Sequence, residues 1–291
     1  MSNRIIIFGT GKAGLNALQH FRHEAATIVA FCDNNPQKHG TRIDNVPVIA
    51  PRQLKESTYD RLVIASMFLN EIRTQLVNEI GIPPDRIEAL PSYICLIGSS
   101  PDRDVEEQTL FQVVEIFDRE KITYFLDSSA LLSIVRSGDF LPWPHGGVDF
   151  SVCVPVHTGE EVLAVIQRHF PANRVSVQRI GFDFIAWKKG DIRGIKVVDQ
   201  DNKSLFTASI RYHHANHVYW VFEPYVVRVP AEHILRLERM DFRGRMVNVP
   251  SRREEYLALV YGDDWRTPKK NWHWSDSKHI FKEVSHVEAQ G

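Results

Sequence analysis

The chain has 291 residues, of which 43% are hydrophobic and 24% charged, and its formal net charge is −1 at pH 7. Such a composition is typical of a globular protein with a substantial core, and the length suits one large domain or two of ordinary size. Because basic and acidic residues are balanced, the chain lacks the basic footprint that nucleic-acid binding leaves, and no nucleic-acid partner is predicted.

The sequence also predicts a cytoplasmic protein without a membrane span. No stretch approaches the ~20 apolar residues that cross a bilayer, and the N-terminus enters an apolar strand with no signal-type core or cleavage site. The three cysteines, Cys32, Cys95 and Cys153, are odd in number and widely spaced, which argues against a disulfide framework and against a cysteine metal site. Cys153, within an apolar strand, is expected to be an inert core residue.

Strands and helices alternate from residue 4 to about residue 96. The apolar runs RIIIFG, TIVAFCD, RLVIAS and RIEAL predict strands, while GKAGLNALQHFRH and NEIRTQLVNEIG have helical spacing and a further helix is predicted at 51–57. This alternation is typical of a doubly wound parallel sheet. We therefore predict a Rossmann-like α/β domain over residues 1–97.

A glycine-rich turn follows the first predicted strand. Gly9, Gly11 and Gly14 have G-x-G-x-x-G spacing between a strand and a helix, and Asp33 ends the second strand where it would bind a ribose hydroxyl. Backbone amides at the helix start would face the phosphates of a bound nucleotide. Two interpretations stay open: a nucleotide or nucleotide-sugar site, or a turn that keeps glycine for packing and binds nothing.

The second part of the chain has a different rhythm. Residues 98–108 are polar and predict a linker, and residues 109–291 predict an α+β domain because strand-like runs outnumber helices. The predicted strands include VDFSVCVP, FDFIAWKK, IRGIKVVD and VYWVFEPY. His213, His214 and His217 fall on one predicted strand, and we favour a surface role for them over metal binding because no acid or cysteine clusters beside them.

The segment YFLDSSALLSIVRSGDFLPWPHGGVDF (124–150) carries the chemistry-bearing residues of this domain. Asp127, Ser128 and Ser129 end a strand and open a helix, where amides and the helix dipole favour an anion, and Asp149 lies on the next predicted strand. Nucleotidyl transfer requires hydroxyls and amides that hold phosphates, and carboxylates that hold Mg²⁺. The segment therefore predicts a phosphate-and-metal site. For Asp127 an alternative is that its carboxylate only caps the turn.

Two parts of the chain resemble known families. IIIFGTGKAG, followed by VAFCDNNPQKHGTRIDNVPVIAP, is similar to the small Rossmann-like domains of PglD-type sugar acetyltransferases over residues 4–90. LDSSALLSIVRSGDFLPWPHGGVDF, together with the later VPSRREEYLALVYGDDWRTP, resembles the LicD family, which includes the fukutin-related proteins, over about 120–270. The second resemblance implies a nucleotidyltransferase-like fold.

The LicD resemblance implies transfer of a phospho-alcohol group from a CDP-activated donor to a glycan acceptor in surface polysaccharide biosynthesis. Asp149 and Glu223 would then bind Mg²⁺ or Mn²⁺, Asp127 would line the active site, and Arg136 would hold a phosphate or brace the loop. The sequence departs from the family pattern at Gly147, where the first metal acid is expected, and at Trp220, near the place of another.

Three functions follow from these observations. The first is a LicD-like transferase with a Rossmann-like accessory domain, in which Glu223 and His145 compensate for the missing acid. The second is a catalytically degenerate relative that binds a nucleotide or sugar, or acts as a scaffold. The third, an NAD-dependent oxidoreductase, is disfavoured because no dehydrogenase residue pattern follows the glycine turn. A homo-oligomer, the donor alcohol and the acceptor stay open.

Overall fold

The computed structural model describes residues 3–24, 26–95, 101–142, 146–222, 225–269 and 277–283, apart from the side chains of residues 92, 93, 282 and 283. These residues divide into two compact units. The first contains residues from 3 to 95 together with Lys269, and the second contains residues from 101 to 268 together with 277–283.

The first unit is a six-stranded sheet with helices on both faces. Its strands are β1 (Arg4–Phe8), β2 (Thr27–Cys32), β3 (Arg42–Ile43), β4 (Val46–Ile49), β5 (Arg61–Ile64) and β6 (Ile87–Ala89). The strand order is β3-β4-β2-β1-β5-β6, and every neighbouring pair is parallel except the β3–β4 hairpin. The helices are α1 (Lys12–His23), α2 (Leu69–Thr74), which continues as a π-helical segment over Gln75–Ile80, and α3 (Ser92–Cys95).

Burial on both faces explains the continuous apolar runs of these strands. Ile6 and Phe8 of β1 pack in one core with Leu69 of α2, whereas Ile5 and Ile7 face the opposite core, which includes residues of α1. A parallel strand covered by helices on both sides has no solvent face, so its sequence does not alternate. The predicted α/β sheet of the first domain is thus confirmed, and the β3–β4 hairpin adds to it.

The second unit combines a mixed sheet with helices. Its helices are α4 (Arg103–Arg119), α5 (Ser128–Ser137), α6 (Gly159–His169), α7 (Ala231–Ile234) and α8 (Arg253–Tyr261). Its strands are β7 (Phe125–Leu126), β8 (Val148–Val154), β9 (Val175–Arg179), β10 (Ile192–Val198), β11 (Ser204–His214), β12 (His217–Phe222), β13 (Tyr225–Pro230), β14 (Leu237–Phe242), β15 (Arg245–Pro250) and β16 (Ile280–Glu283). None of the helices in the described part of the chain is both long and apolar enough to cross a membrane.

The long strand β11 organises the main sheet of this unit. It pairs antiparallel with β10 and β12 and parallel with β8, while β14 and β15 form a separate hairpin. Phe150 and Phe206 point to one side, the core face, where their rings contact Phe117 of α4 and Phe170, which follows α6. The opposite side, the site face, carries Asp149 and the residues that alternate with it.

The β14–β15 hairpin is fastened to α4 by arginine–carboxylate pairs. Arg243 pairs with Glu107, and Arg245 lies 2.7 Å from Glu115. The ring of Phe242 lies 6.2 Å from that of Phe111, which gives the charged contacts an apolar centre. The hairpin and the helix are separated by more than a hundred residues in the chain, so these contacts join the beginning of the unit to its end.

The structure corrects two predicted boundaries in this unit. The predicted linker 98–108 is wrong over its second half, because residues 103–108 form the first turns of α4, and Glu106 is buried there. The acidic first turn of α4 complements the positive end of the helix dipole, which is why polar residues begin this helix. The predicted strand FDFIAWKK is also wrong, since this segment is a loop with an isolated bridge between Phe184 and Trp187.

The histidine strand is a hairpin. His213 and His214 end β11, the chain turns at Ala215 with a φ of 52°, and His217 begins β12 opposite His214. The expectation that His213 and His217 share one strand is therefore wrong. His213 and His214 are exposed, which agrees with the surface role favoured for them.

Candidate functional site

Asp127 lies at the centre of a buried polar network. It occupies the N-cap position of α5, and only 1% of its surface is exposed. One carboxylate oxygen accepts hydrogen bonds from the Ser128 amide and the Tyr256 hydroxyl, each at 2.6 Å, and the other accepts from the Ser151 hydroxyl and the Arg211 guanidinium. All four donors belong to the protein, so Asp127 stabilises the interior beneath the site and has no free oxygen facing a ligand. The alternative prediction, an acid that caps the turn, agrees with this position, whereas the expectation that Asp127 lines the active site does not fit its burial.

Arg211 is the positive partner of this carboxylate and is itself 1% exposed. Its guanidinium donates to the Ser151 hydroxyl at 2.9 Å and lies 3.3 Å from the ring centroid of Trp220, a cation–π contact. Trp220 in turn stacks on His279 at 5.1 Å. Trp220, which takes the place near an expected acid, therefore packs against the buried Arg211.

The electrostatics of the pair favour the ionised forms. Burial by itself would raise the pKa of the Asp127 carboxyl, but Arg211 and the three other donors outweigh it, and the net shift of the pKa is downward. Burial would likewise lower the pKa of Arg211, and the neighbouring carboxylate raises it instead. A buried ion pair of this kind is stable only while both partners are present.

Ser129 and Asp149 meet across the beginning of α5. The Ser129 hydroxyl donates a hydrogen bond of 2.9 Å to Asp149, and the Asp149 carbonyl accepts one of 3.0 Å from the Asp127 amide. Ser128 has a φ of 48°, a left-handed conformation that is strained for a residue other than glycine. The serine turn and the aspartate of β8, predicted to share a site, are thus in direct contact. Asp149 is half-buried, unlike Asp127.

Arg136 lies at the other end of α5. It is half-buried, and this burial lowers its pKa, while Tyr261 acts in the opposite direction. The pKa of Tyr261 is raised by burial and, to a smaller extent, by Asp149 and Asp127. Arg136 and Asp149 are therefore both electrostatically coupled to Tyr261 of α8, and a phosphate-binding role for Arg136 stays a prediction.

Gly147 cannot be replaced by an acid without moving the backbone. It has a φ of 87°, and a Cβ built on it would lie 2.6 Å from the carbonyl oxygen of Leu205 and closer still to that of Ser204. Both the backbone conformation and the space beneath it require glycine at this position. The acid missing from the family pattern is therefore sterically excluded here.

The residues described do not form a metal site by themselves. Within the described ranges, no three His, Cys, Asp or Glu side chains converge as metal ligands. Glu223 and His145, the predicted replacements for the missing acid, lie outside the described residues. Asp149 is the predicted metal ligand that the structure describes, and a Mg²⁺ ion at one protein carboxylate would need substrate phosphates or a further acid as additional ligands.

In the first unit, packing explains two of the three glycines in the turn. A Cβ at Gly9 would lie 2.7 Å from the Ala65 carbonyl oxygen, and one at Gly14 would overlap the carbonyl oxygen of Gly9. A Cβ at Gly11, by contrast, would meet no atom within 4 Å. Packing therefore accounts for Gly9 and Gly14 but leaves the glycine at the N-cap of α1 unexplained.

Asp33 is already engaged with the same turn. One of its oxygens accepts from the Thr10 hydroxyl and from Lys38 at 2.9 Å, and the other accepts from the Asn35 amide at 2.9 Å. Burial would raise the pKa of Asp33, but these donors lower it overall. A ribose at this position would have to exchange hydrogen bonds with Thr10 and Lys38.

Cys153 behaves as the sequence predicts for a core residue. It is buried on β8, and burial raises the pKa of its thiol to about 12. A thiol with such a pKa is protonated at neutral pH and is a poor nucleophile. Cys153 is therefore not part of the candidate chemistry.

The sequence reading missed three members of the network, namely Ser151, Arg211 and Tyr256. No local signal pointed to Arg211, since it takes a polar position in the alternation of β11, between Ile210 and Tyr212, and only the structure shows that it is buried.

Comparisons with known families divide the chain in the same way as the structure. Residues 121–252 match the family model described as "LicD/FKTN/FKRP, nucleotidyltransferase domain", and residues 1–88 match one described as "C2185-like, N-terminal". The chain therefore carries a LicD-type domain at residues 121–252, over a little less than half of its length. The PglD-type resemblance of the first domain is not confirmed, since the model found there is the C2185-like one.

Comparisons with individual proteins add little. No curated protein sequence matches this chain. Among solved structures, a UDP-D-quinovosamine 4-dehydrogenase from Vibrio fischeri is 19% identical, with 31% of this chain and 80% of that chain covered and a TM-score of 0.27. A Gfo/Idh/MocA family oxidoreductase from Vibrio cholerae is 11% identical, with 86% and 82% covered and a TM-score of 0.26. Similarities this weak carry no argument about fold or function.

Proposed function

We propose that the LicD-type domain transfers a phospho-alcohol group from a CDP-activated donor to a glycan acceptor in surface polysaccharide assembly. An acceptor hydroxyl would form a new P–O bond to the phosphorus that bears the alcohol. The bond from that phosphorus to the bridging oxygen would break, CMP would leave, and the proton of the hydroxyl would pass to the solvent. The family match supports a phosphotransferase-like role, and the CDP donor and the glycan acceptor are part of the proposal.

The observation that carries the proposal is the contact between Ser129 and Asp149 at the start of α5. Hydroxyl and amide donors at a helix start favour a phosphate, and a carboxylate beside them is the ligand type that a divalent cation prefers. Asp127 and Arg211 hold this arrangement from behind. Mg²⁺ or Mn²⁺ is part of the proposal, and Asp149 and Glu223 are the residues that would hold it.

The experiment is an assay for CMP release from CDP-choline and CDP-ribitol, with Mg²⁺, with Mn²⁺ and with EDTA. We expect Asp149→Asn to reduce turnover at least about 100-fold, the scale of losing one electrostatic group at a transition state. Asp201→Asn, the same chemical change on an exposed turn, is the matched control and should retain full activity. Equal activity in the two variants would contradict the role of Asp149.

A degenerate binding module is the second candidate, favoured by the steric exclusion of an acid at Gly147. This alternative predicts that the wild-type protein binds CDP but releases no CMP from either donor under any metal condition. Turnover that survives dialysis and depends on Asp149 would eliminate it.

We further propose that the first unit binds a nucleotide or nucleotide-sugar at its glycine turn. The open space beside Gly11 supports this, because packing does not explain the glycine there. Gly11→Val should abolish binding of UDP-sugars or of CDP to the first unit while the protein stays folded. Unchanged affinity in a folded Gly11→Val protein would leave the turn with a packing role alone.

A further inference from the structure

The site face of the main sheet carries a polar row that crosses three neighbouring strands. Asp149 of β8 is the register partner of Thr207 on β11, and Thr207 is the register partner of Lys196 on β10. Side chains of register partners point to the same face. With about 4.8 Å between neighbouring strands, the Cα atoms of Asp149 and Lys196 are about 10 Å apart, within reach of the long lysine side chain. We call these three residues the polar row.

The two faces of the sheet differ sharply at this position. On the core face, the neighbouring residues Phe150, Phe206 and Val197 are fully buried, as expected for an interior surface. On the site face, all three members of the polar row are half-buried. Further along β8, Ser151 is completely buried under the network of Asp127, while its register partner Ser209 on β11 is half-buried. The polar row therefore belongs to the half-exposed part of the site face.

Lysine at an inner strand position requires an explanation. Lys is depleted in strands and is seldom buried, because its charge must be hydrated or paired. Lys196 lies on a strand bordered on both sides, by β9 and β11, with its side chain on the same face as Asp149. Both residues already have an interaction within the chain, so a ligand would exchange with an existing partner.

The charges of a diphosphate make a cation necessary beside Asp149. An aspartate next to a ligand of the same sign repels it, and the acid that would help to hold a metal cation is excluded at Gly147. We propose that Lys196 binds the diphosphate of the donor, with the Thr207 hydroxyl donating a second hydrogen bond, so that a fixed ammonium supplies positive charge beside the single carboxylate. This inference rests on the proposed transfer from a CDP-linked donor, but it concerns a residue that neither the motif nor the predicted site included.

The test measures binding of inorganic pyrophosphate and of CDP by isothermal titration calorimetry. Every protein compared, including the otherwise wild-type one, carries Gly11→Val so that the site proposed for the first unit does not contribute. An ammonium–phosphate hydrogen bond is worth about 1.5–3 kcal/mol, so Lys196→Met should weaken both ligands about 10- to 100-fold, while Lys196→Arg should retain most of the affinity. Thr207→Val, a change of similar shape, should weaken both ligands by a smaller factor. Lys188→Met, the same substitution on an exposed loop, is the control and should bind as wild type does.

The outcomes separate this inference from the proposed function. If wild type binds CDP and Lys196→Met binds it with the same affinity, the role of Lys196 is overturned and the transferase proposal stays intact. Lys196-dependent binding of pyrophosphate without any binding of CDP supports the anion site and counts against a cytidine donor. Binding of neither ligand by the wild-type protein overturns the anion site. Melting curves for each variant exclude loss of fold as the cause of weakened binding.

Discussion

Asp127→Asn tests whether the buried network is held together by its charge pair. The substitution keeps the shape of the side chain but leaves the Arg211 guanidinium, which is 1% exposed, without a counter-ion. Removing one partner of a buried ion pair costs about 3–5 kcal/mol, because the remaining charge is buried and uncompensated. We expect the free energy of unfolding at pH 7 to fall by that amount.

A double-mutant cycle separates the charge pair from the rest of the network. Arg211→Met should also be strongly destabilising, because Asp127 is then the unpaired charge, while the combination Asp127→Asn with Arg211→Met should cost clearly less than the sum. Tyr256→Phe removes a neutral donor to the same carboxylate and should cost about 1–3 kcal/mol. A double mutant whose cost equals the sum of the single mutants would refute the pairing.

Urea unfolding followed by tryptophan fluorescence is the suitable assay. Trp187, Trp220 and Trp265 are buried in the second unit, so unfolding of this unit changes their fluorescence. The dependence on pH provides a second check. Because the folded-state pKa of Asp127 is lowered, its stabilisation is complete above the ordinary carboxyl pKa of about 4 and is lost as the pH falls through the folded value.

The difference in stability between wild type and Asp127→Asn should therefore be constant from pH 7 to about pH 5 and should narrow in more acidic solution. Other carboxyls titrate in both proteins, so the comparison isolates the contribution of Asp127. A cost below about 1 kcal/mol, or a difference that persists unchanged into acid, would show that the charge pair does not hold the network together.

Three further predictions concern other parts of the molecule. Gly147→Asp should reduce the free energy of unfolding by roughly 2–6 kcal/mol, because the new side chain strains the backbone and overpacks the space beneath it. Titration calorimetry should detect no new Mn²⁺ site. A stable variant that binds Mn²⁺ would contradict the steric exclusion of an acid at this position. Gly14→Ala should lower the melting temperature of the first unit in differential scanning calorimetry far more than Gly11→Ala, and equal shifts would refute the packing difference. In urea unfolding, Arg245→Gln should lower the free energy of unfolding by less than about 1 kcal/mol, since its ion pair is exposed. Phe242→Ala, which removes a buried ring, should lower it by about 3–5 kcal/mol. The reverse order would show that the ion pairs, and not the apolar contact, hold the hairpin against α4.

The central elements of the first unit could be predicted because each of its longer parallel strands carries its own signal. A parallel strand buried on both faces is continuously apolar, and RIIIFG, TIVAFC and RLVI are recognisable without knowledge of their neighbours. The β3–β4 hairpin was not predicted because its strands have two and four residues, and such short pairs depend on the turn between them.

The second unit was harder to predict for a physical reason. Strand β11 mixes apolar, polar and charged residues, because its core face packs against helices while its site face carries Thr207 and Arg211. Arg211 and Asp127 are 84 residues apart in the chain, and no local sequence pattern indicates that they pair. The contact between Ser129 and Asp149 was predictable, since a family motif places both residues on adjacent elements.

The contacts between α4 and the β14–β15 hairpin limit which fragment of this domain can fold by itself. The family model covers residues 121–252, yet α4 lies before that range, and Tyr256, which bonds to Asp127, lies after it. A fragment excised at the limits of the match would expose the aromatic side of the sheet and remove one donor from the buried carboxylate. Strand β16 also pairs with β13, and His279 stacks on Trp220, so the smallest piece that could stand alone runs at least from Arg103 to Glu283, and limited proteolysis should leave that piece whole.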